Sequence, residues 1–266
     1  MGRFEKAMRR FAALDDRDLA APWSWRGGDL QVRDALYRSL GDELDALVVA
    51  RERWDRDPAT TDAERILSHA DSALGDLRGL LVALDDALLD RAPAEGEWTL
   101  RETLRHMLDV ERRYPVNTSH AIHRGDDEPL TVPDDDPRLA PSDPAETAGG
   151  FDRVVERLVA ARDHSDALLG PTPDPALDRA SRWSGIGVTV RFRLHRFGEH
   201  LVEHTIQCEK TLEALAVREG EARRIVRRIW AARGELEAID ADADAIASLD
   251  AAHEERVAAL GGVART

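Results

Sequence analysis

Apolar residues recur along this chain at intervals of three and four, the period of one helix face. In "LRETLRHMLDVE" (Leu100 to Glu111), Leu100, Leu104, Met107, Leu108 and Val110 form such a stripe. The pattern predicts helices over 3–14, 32–55, 62–89, 99–122, 145–168, 188–214, 219–238 and 242–259. The single alternating run, "GVTVRF" (Gly187 to Phe192), reads as the approach to a helix. Thr99 followed by Glu102 is a capping box at a helix start.

Punctuation between these segments sets the architecture. "PAEGEW" (Pro93 to Trp98) joins two helices briefly. "GDDEPLTVPDDDPRLAPSDP" (Gly125 to Pro144) holds five prolines and no period. A connection of that kind lets a bundle cross over instead of turning back directly. "GPTPDPALDRASRWSGIG" (Gly170 to Gly187) reads as a second irregular link. The expected fold is all-α: a four-helix bundle over 61–216 with a long crossover between its second and third helices. A helical N-terminal extension over 1–60 and a C-terminal helical hairpin over 217–266 complete it. "VRDALYRSLGDE" (Val32 to Glu43) aligns without gaps on "LRETLRHMLDVE", with Arg38 where the second has His106. An internal repeat and the chance likeness of two amphipathic helices both account for that match.

Composition narrows the partners. The chain has 266 residues, 42% hydrophobic and 33% charged, with a net charge of -15. So acidic a surface argues against nucleic acid or an anionic membrane as partner. Lys6 and Lys210 are the only lysines, a composition of the kind GC-rich bacterial genomes encode. One cysteine, Cys208, allows no internal disulfide, so a reducing cytoplasm is the expected location. No run of eighteen apolar residues exists to span a bilayer.

Candidate chemistry sits in "HLVEHTIQC" (His200 to Cys208). Helical geometry puts His200 and His204 on one face, one turn apart, where two imidazoles can share a Zn²⁺, Ni²⁺ or Fe²⁺ ion. His204 falls within the apolar stripe of Val190, Leu194, Phe197, Leu201, Cys208, Leu212 and Leu215, and His200 falls at its margin. A pair of hydrogen-bonded core histidines gives the same pattern. A third ligand would have to come from the other histidines or a nearby acid, and periodicity alone does not single out His106.

Two motifs together carry a resemblance. "GEWTLRETLRHMLDVE", followed far downstream by "FGEHLVEHTIQCEKTL", resembles the DinB-like superfamily of metal-binding four-helix bundles. That group includes mycothiol-dependent maleylpyruvate isomerases and related bacterial thiol S-transferases. The resemblance covers about 62–215 and implies a metal site of His106, His200 and His204. It further implies a transferase or isomerase that uses a low-molecular-weight thiol, such as mycothiol, against a small electrophile. Glu203 and Gln207, beside the histidines, are the candidate catalytic residues, to orient an imidazole or take a proton.

Two other readings stand beside this one. A non-catalytic metal-binding or stress-related protein could keep the same bundle. His200-Leu201-Val202-Glu203-His204 also spells H-x-x-E-H, the inverted zinc-peptidase signature. Peptidases of that type resemble mixed α/β scaffolds with a further acidic ligand, which the helical pattern here does not supply. Whether the surplus helices pair two copies into a homodimer is a question the sequence leaves open.

Overall fold

The computed structural model describes residues 2–239 and 242–261. Its elements are α1 (Arg3–Ala12), α2 (Asp16–Ala20), β1 (Pro22–Trp25), β2 (Gly28–Gln31), α3 (Val32–Arg56) and α4 (Asp62–Leu81). Then follow α5 (Leu100–His123), α6 (Phe151–Leu169), β3 (Ala180–Trp183), β4 (Ile186–Thr189), α7 (Val190–Ala214), α8 (Glu221–Ile239) and α9 (Ala243–Ala259). The architecture is all-α, with a four-helix bundle of α4 to α7. No described helix is long and apolar enough to cross a membrane.

Two expected helices are shorter than the hydrophobic period suggests. Helix α4 stops at Leu81 because the backbone turns left-handed at Ala83 (φ 56°), although Leu88 and Leu89 beyond the break are also buried. Helix α6 starts at Phe151, not at 145, because Gly149 takes a φ of 100°. Asp86 then accepts a hydrogen bond from the Phe151 amide at 2.8 Å, an anion at the helix N-terminus. Of the acidic run from 240 to 250, residues 240 and 241 lie outside the described residues. Asp242 caps α9 through the amides of Asp244 and Ala245.

The reading of Gly187 to Phe192 as a helix approach is corrected: Ile186–Thr189 is a strand, paired antiparallel with Ala180–Trp183. A second hairpin, β1 with β2, was not expected at all. Each has a two-residue turn with both residues at positive φ, Arg26-Gly27 (50° and 81°) and Ser184-Gly185 (45° and 85°). Such turns match the right-handed strand twist, and Xaa-Gly is their sequence signal.

These hairpins expose a repeat different from the one expected. Each feeds directly into a long helix, α3 or α7, and Val32 and Val190 donate equivalent hydrogen bonds to Ala21 and Arg179. Superposed in sequence, Trp25 falls on Trp183, Val32 on Val190 and Leu36 on Leu194. Every buried position of α3 (Val32, Ala35, Leu36, Ser39, Glu43, Leu47, Ala50) then meets a buried position of α7. The counterpart of Val32–Glu43 is therefore 190–201, not 100–111, which follows a capped loop instead of a hairpin.

The chain divides into two compact units. One gathers residues up to Arg56, the stretch Gly75–Leu84 and everything from Ala216 on. Its core joins Phe4, Met8, Phe11, Leu19, Trp23, Leu36, Ile229 and Trp230, so the N- and C-terminal helices fold together. Burying a side chain of this size contributes about 1.5–3 kcal/mol. Within this unit Gly75 and Gly79 let α4 approach α8 closely. A Cβ on Gly75 would lie 2.3 Å from the Trp230 carbonyl oxygen. Glu43 is fully buried there, accepting from Arg233 (2.6 Å) and from His253 Nε2 (2.8 Å).

The other unit, Asp57–Leu74 with Asp85–Leu215, holds the first part of α4 and all of α5, α6 and α7. Helix α5 packs against both α6 and α7. Pro115 interrupts the hydrogen bonding of α5 and frees the Glu111 carbonyl. The Ser165 hydroxyl donates to that carbonyl at 3.3 Å. Beside it the buried Arg162 guanidinium joins Glu111 (3.1 Å) and Asp166 (2.7 Å). The crossover lies along α5. Val132 donates to Asn117 (3.0 Å), Ser142 to Asp109 (2.6 Å), and His120 Nε2 meets the Pro129 carbonyl at 2.8 Å.

Candidate metal centre

Helix α5 brings one histidine and α7 brings two. The start of α5 is fixed by reciprocal capping: Thr99 donates to Glu102 at 2.8 Å, and the Glu102 amide returns the bond to Thr99 at 3.2 Å. That occupies Glu102 as a cap, two turns of α5 being enough to carry the chain to His106. Thr189 caps α7, accepting from the Phe192 amide at 3.3 Å. From that start the helical period aims Leu194, Phe197, His200, Leu201 and Cys208 inward.

His106, His200 and His204 converge, each offering one ring nitrogen, and these atoms lie within 4.8 Å of one another. The Nε2 atoms of His106 and His200 are 3.1 Å apart. Two nitrogens tetrahedrally bound to one zinc at about 2.1 Å would stand roughly 3.4 Å apart, close to the separation of this pair. The rings pack at centroid distances of 5.1 Å, 4.6 Å and 4.2 Å.

The burial order of the α7 pair reverses the expectation. His200 is buried and His204 is only half-buried, because α7 turns its His200 edge toward α5. Burial, then the charges of His204 and His106, push the His200 pKa down to about 3. Burial first, and His204 second, lower His106 as well. Both imidazoles are therefore neutral near pH 7, which is the state a metal ligand needs. His204 Nδ1 lies 2.8 Å from Gln207 Oε1. A carbonyl oxygen only accepts, so Nδ1 carries the proton and Nε2 keeps its lone pair for an ion. His200 Nδ1 is buried without a hydrogen-bond partner among the described residues, and its ring is held by packing, with Tyr114 edge-on at 5.6 Å.

Glu203 is exposed and reaches Arg196 at 3.6 Å; it is not part of the convergent group. Cys208 is fully buried, its thiol pushed up to about 12 by burial and then by Glu209, and it also stays outside the group. His69, His164 and His195 are exposed, His120 and His123 bond to backbone carbonyls, and His253 serves Glu43. Trp98, just before α5, is 44% exposed, its ring 5.5 Å from His106.

The structure adds neighbours that sequence reasoning passed over. Tyr114 sits two turns beyond His106 on the same face of α5 and meets Trp183 edge-on at 4.5 Å. That spacing was a usable signal. Arg193 lies buried beside both, and nothing in an amphipathic pattern flags a buried arginine.

Three histidines converging from two helices of a four-helix bundle, with no acid among them, make this a helical protein with a candidate metal site. The chain belongs to the DinB superfamily, whose family model matches residues 69–208 and so spans all three histidines. No curated protein matches it. Among solved structures it is similar to YfiT from Bacillus subtilis, described as a probable metal-dependent hydrolase with an unusual four-helix bundle topology. The identity is 14% over 61% of this chain and 93% of that one, with a TM-score of 0.46.

Proposed function

We propose that His106, His200 and His204 hold one divalent cation (zinc, nickel or iron) and that the protein is a transferase or isomerase using a small thiol. The observation that carries this reading is the convergence of three ring nitrogens within 4.8 Å, without a carboxylate in the set. When bound there, such an ion keeps its full charge and an open position, at which a thiol becomes a thiolate at neutral pH.

The remaining roles belong to the chain. His200 anchors the site from the core, and His106 stands nearer the surface beside the exposed Trp98. Gln207 fixes the tautomer of His204. Glu203, exposed and 3.6 Å from Arg196, is the carboxylate that would receive the thiol proton. Mycothiol fits the compositional hint of a GC-rich bacterium, and a cytoplasmic setting would supply it.

Cobalt substitution tests this reading. Adding a small thiol to the cobalt protein is expected to produce a sulfur-to-cobalt charge-transfer band, absent in His204→Ala. Transfer of that thiol to a model electrophile then separates an enzyme from a metal-binding protein without catalysis. A cobalt spectrum indifferent to thiols would sink the thiol assignment. Chelator-sensitive casein cleavage would instead revive the peptidase signature.

A further inference from the structure

Among the described residues three arginines are buried, and one of them is treated differently from the other two. Arg162 is matched by Glu111 and Asp166, and Arg233 by Glu43 and Asp250. In both, burial pulls the pKa down and the carboxylates outweigh it. Arg193 is only 4% exposed and has no carboxylate partner among the described residues. Its Nε donates to the Thr118 hydroxyl (3.0 Å), Nη1 to the Arg182 carbonyl (2.9 Å) and Nη2 to the Tyr114 carbonyl (3.4 Å). These neutral acceptors satisfy hydrogen bonds without neutralising the charge. Burial pushes Arg193 down to about 10, so it remains cationic at neutral pH. Each terminal nitrogen also keeps one N–H beyond the bond it makes, the two-pronged donor that suits a planar carboxylate.

Arg193 lines an open cleft of about 490 Å³ within the bundle unit. Arg113 and Arg182 lie on its rim, against a single acid, Asp134. An excess of positive charge is unusual in a chain with 52 acidic and 37 basic side chains. Trp183 and Tyr114 give the wall flat apolar faces, and Tyr114 also touches His200. The cleft thus begins where the histidine cluster ends.

We propose that this cleft binds a small organic carboxylate, its head group taken by Arg193 and its flat body laid against Trp183 and Tyr114. That this ligand is the substrate rests on the metal-centre reading; that it binds does not.

Calorimetric titration of the full chain with benzoate, its neutral isostere benzamide and phenyl phosphate tests the proposal. Benzoate is expected to bind at least about 10-fold more tightly than benzamide. Arg193→Met is expected to weaken benzoate binding about 30-fold or more. Should that variant fail to fold, the double variant Arg113→Gln/Arg182→Gln, altered only at exposed positions, is expected to lose several-fold. Equal affinity for benzoate and benzamide would overturn the proposal. So would a folded Arg193→Met that binds as the parent does, or, where that variant does not fold, an unaffected double variant. Tighter binding of phenyl phosphate than of benzoate would overturn the carboxylate assignment. Repeating the titration with chelator and in His204→Ala keeps the two readings apart. Benzoate binding is expected to persist there, and its loss from metal-loaded parent protein would count against the cleft alone.

Discussion

His106 and His200 come from helices far apart in the chain, yet their Nε2 atoms stand 3.1 Å apart. Two neutral imidazoles so close either share a proton or face a common cation, and His204 joining them within 4.8 Å favours the cation. Alanine at any of the three is expected to abolish stoichiometric metal in protein purified without a histidine tag, read by elemental analysis. Gln207→Leu should keep the site but weaken it about 10- to 100-fold, since only the orientation of His204 is lost. Full metal content in all three alanine variants would remove the centre.

The depressed pKa of His200 has a consequence for the metal-free protein. An unfolded chain protonates this ring near 6.5, whereas the folded one resists until about 3. The folded state therefore binds fewer protons across that window, and its contribution to stability is lost as pH falls from 6.5 toward 3. Denaturation of chelated protein over this range should show parent stability declining more steeply than that of His200→Phe.

Glu111 works in the opposite direction. Burial, only partly countered by Arg162, raises its pKa from 4.5 to about 7, and one of its oxygens has no hydrogen-bond partner among the described residues. Here the folded state binds more protons, so stability falls as pH rises from 4.5 to 7, by about 3 kcal/mol for this group. Asp71, raised by burial and then by Asp166, pulls the same way. Glu111→Gln is expected to flatten the decline in urea melts across this range. An unchanged slope would show that Glu111 is already ionised in the fold.

The contact of Gly75 with α8 makes a sharper prediction. A Cβ there would sit 2.3 Å from a backbone oxygen, which cannot swing aside as a side-chain tip can. Despite alanine's better helix propensity, Gly75→Ala should destabilise the protein by about 1–3 kcal/mol through forced separation of the helices. Gly41→Ala, with open space around it in α3, serves as the control and should stabilise slightly or change nothing.

The long helices were legible because their apolar faces repeat over many turns, and the crossover because five prolines deny it a period. The three histidines emerged only when two motifs were taken together, since His106 lies off its helix's apolar stripe. Both hairpins escaped notice. The alternation at Gly187 to Phe192 was read as the approach to a helix, and β1 and β2 are only four residues each, β1 with one buried position and β2 with none. Their Arg-Gly and Ser-Gly turns were the available sign. The true internal match was missed for the same reason, because it is anchored on those turns. Arg193 could not have been foreseen, for its burial depends on three helical and hairpin neighbours meeting around it.

That match makes the molecule a built-in comparison between a helix that carries the histidine pair and one that lacks it. Asp42 and Ala46 occupy, in α3, the places that His200 and His204 hold in α7, and Ala35 occupies that of Arg193. Asp42 is engaged by Arg256, so the position that matches His200 is part of an ion pair in α3. The hairpin-helix scaffold thus keeps Val32/Val190 and Leu36/Leu194 as shared apolar anchors and Arg33/Arg191 and Arg38/Arg196 as shared arginines, while the positions of His200, His204 and Arg193 differ. A designer wishing to move the histidines to new ground would find the backbone already drawn once more in the same chain.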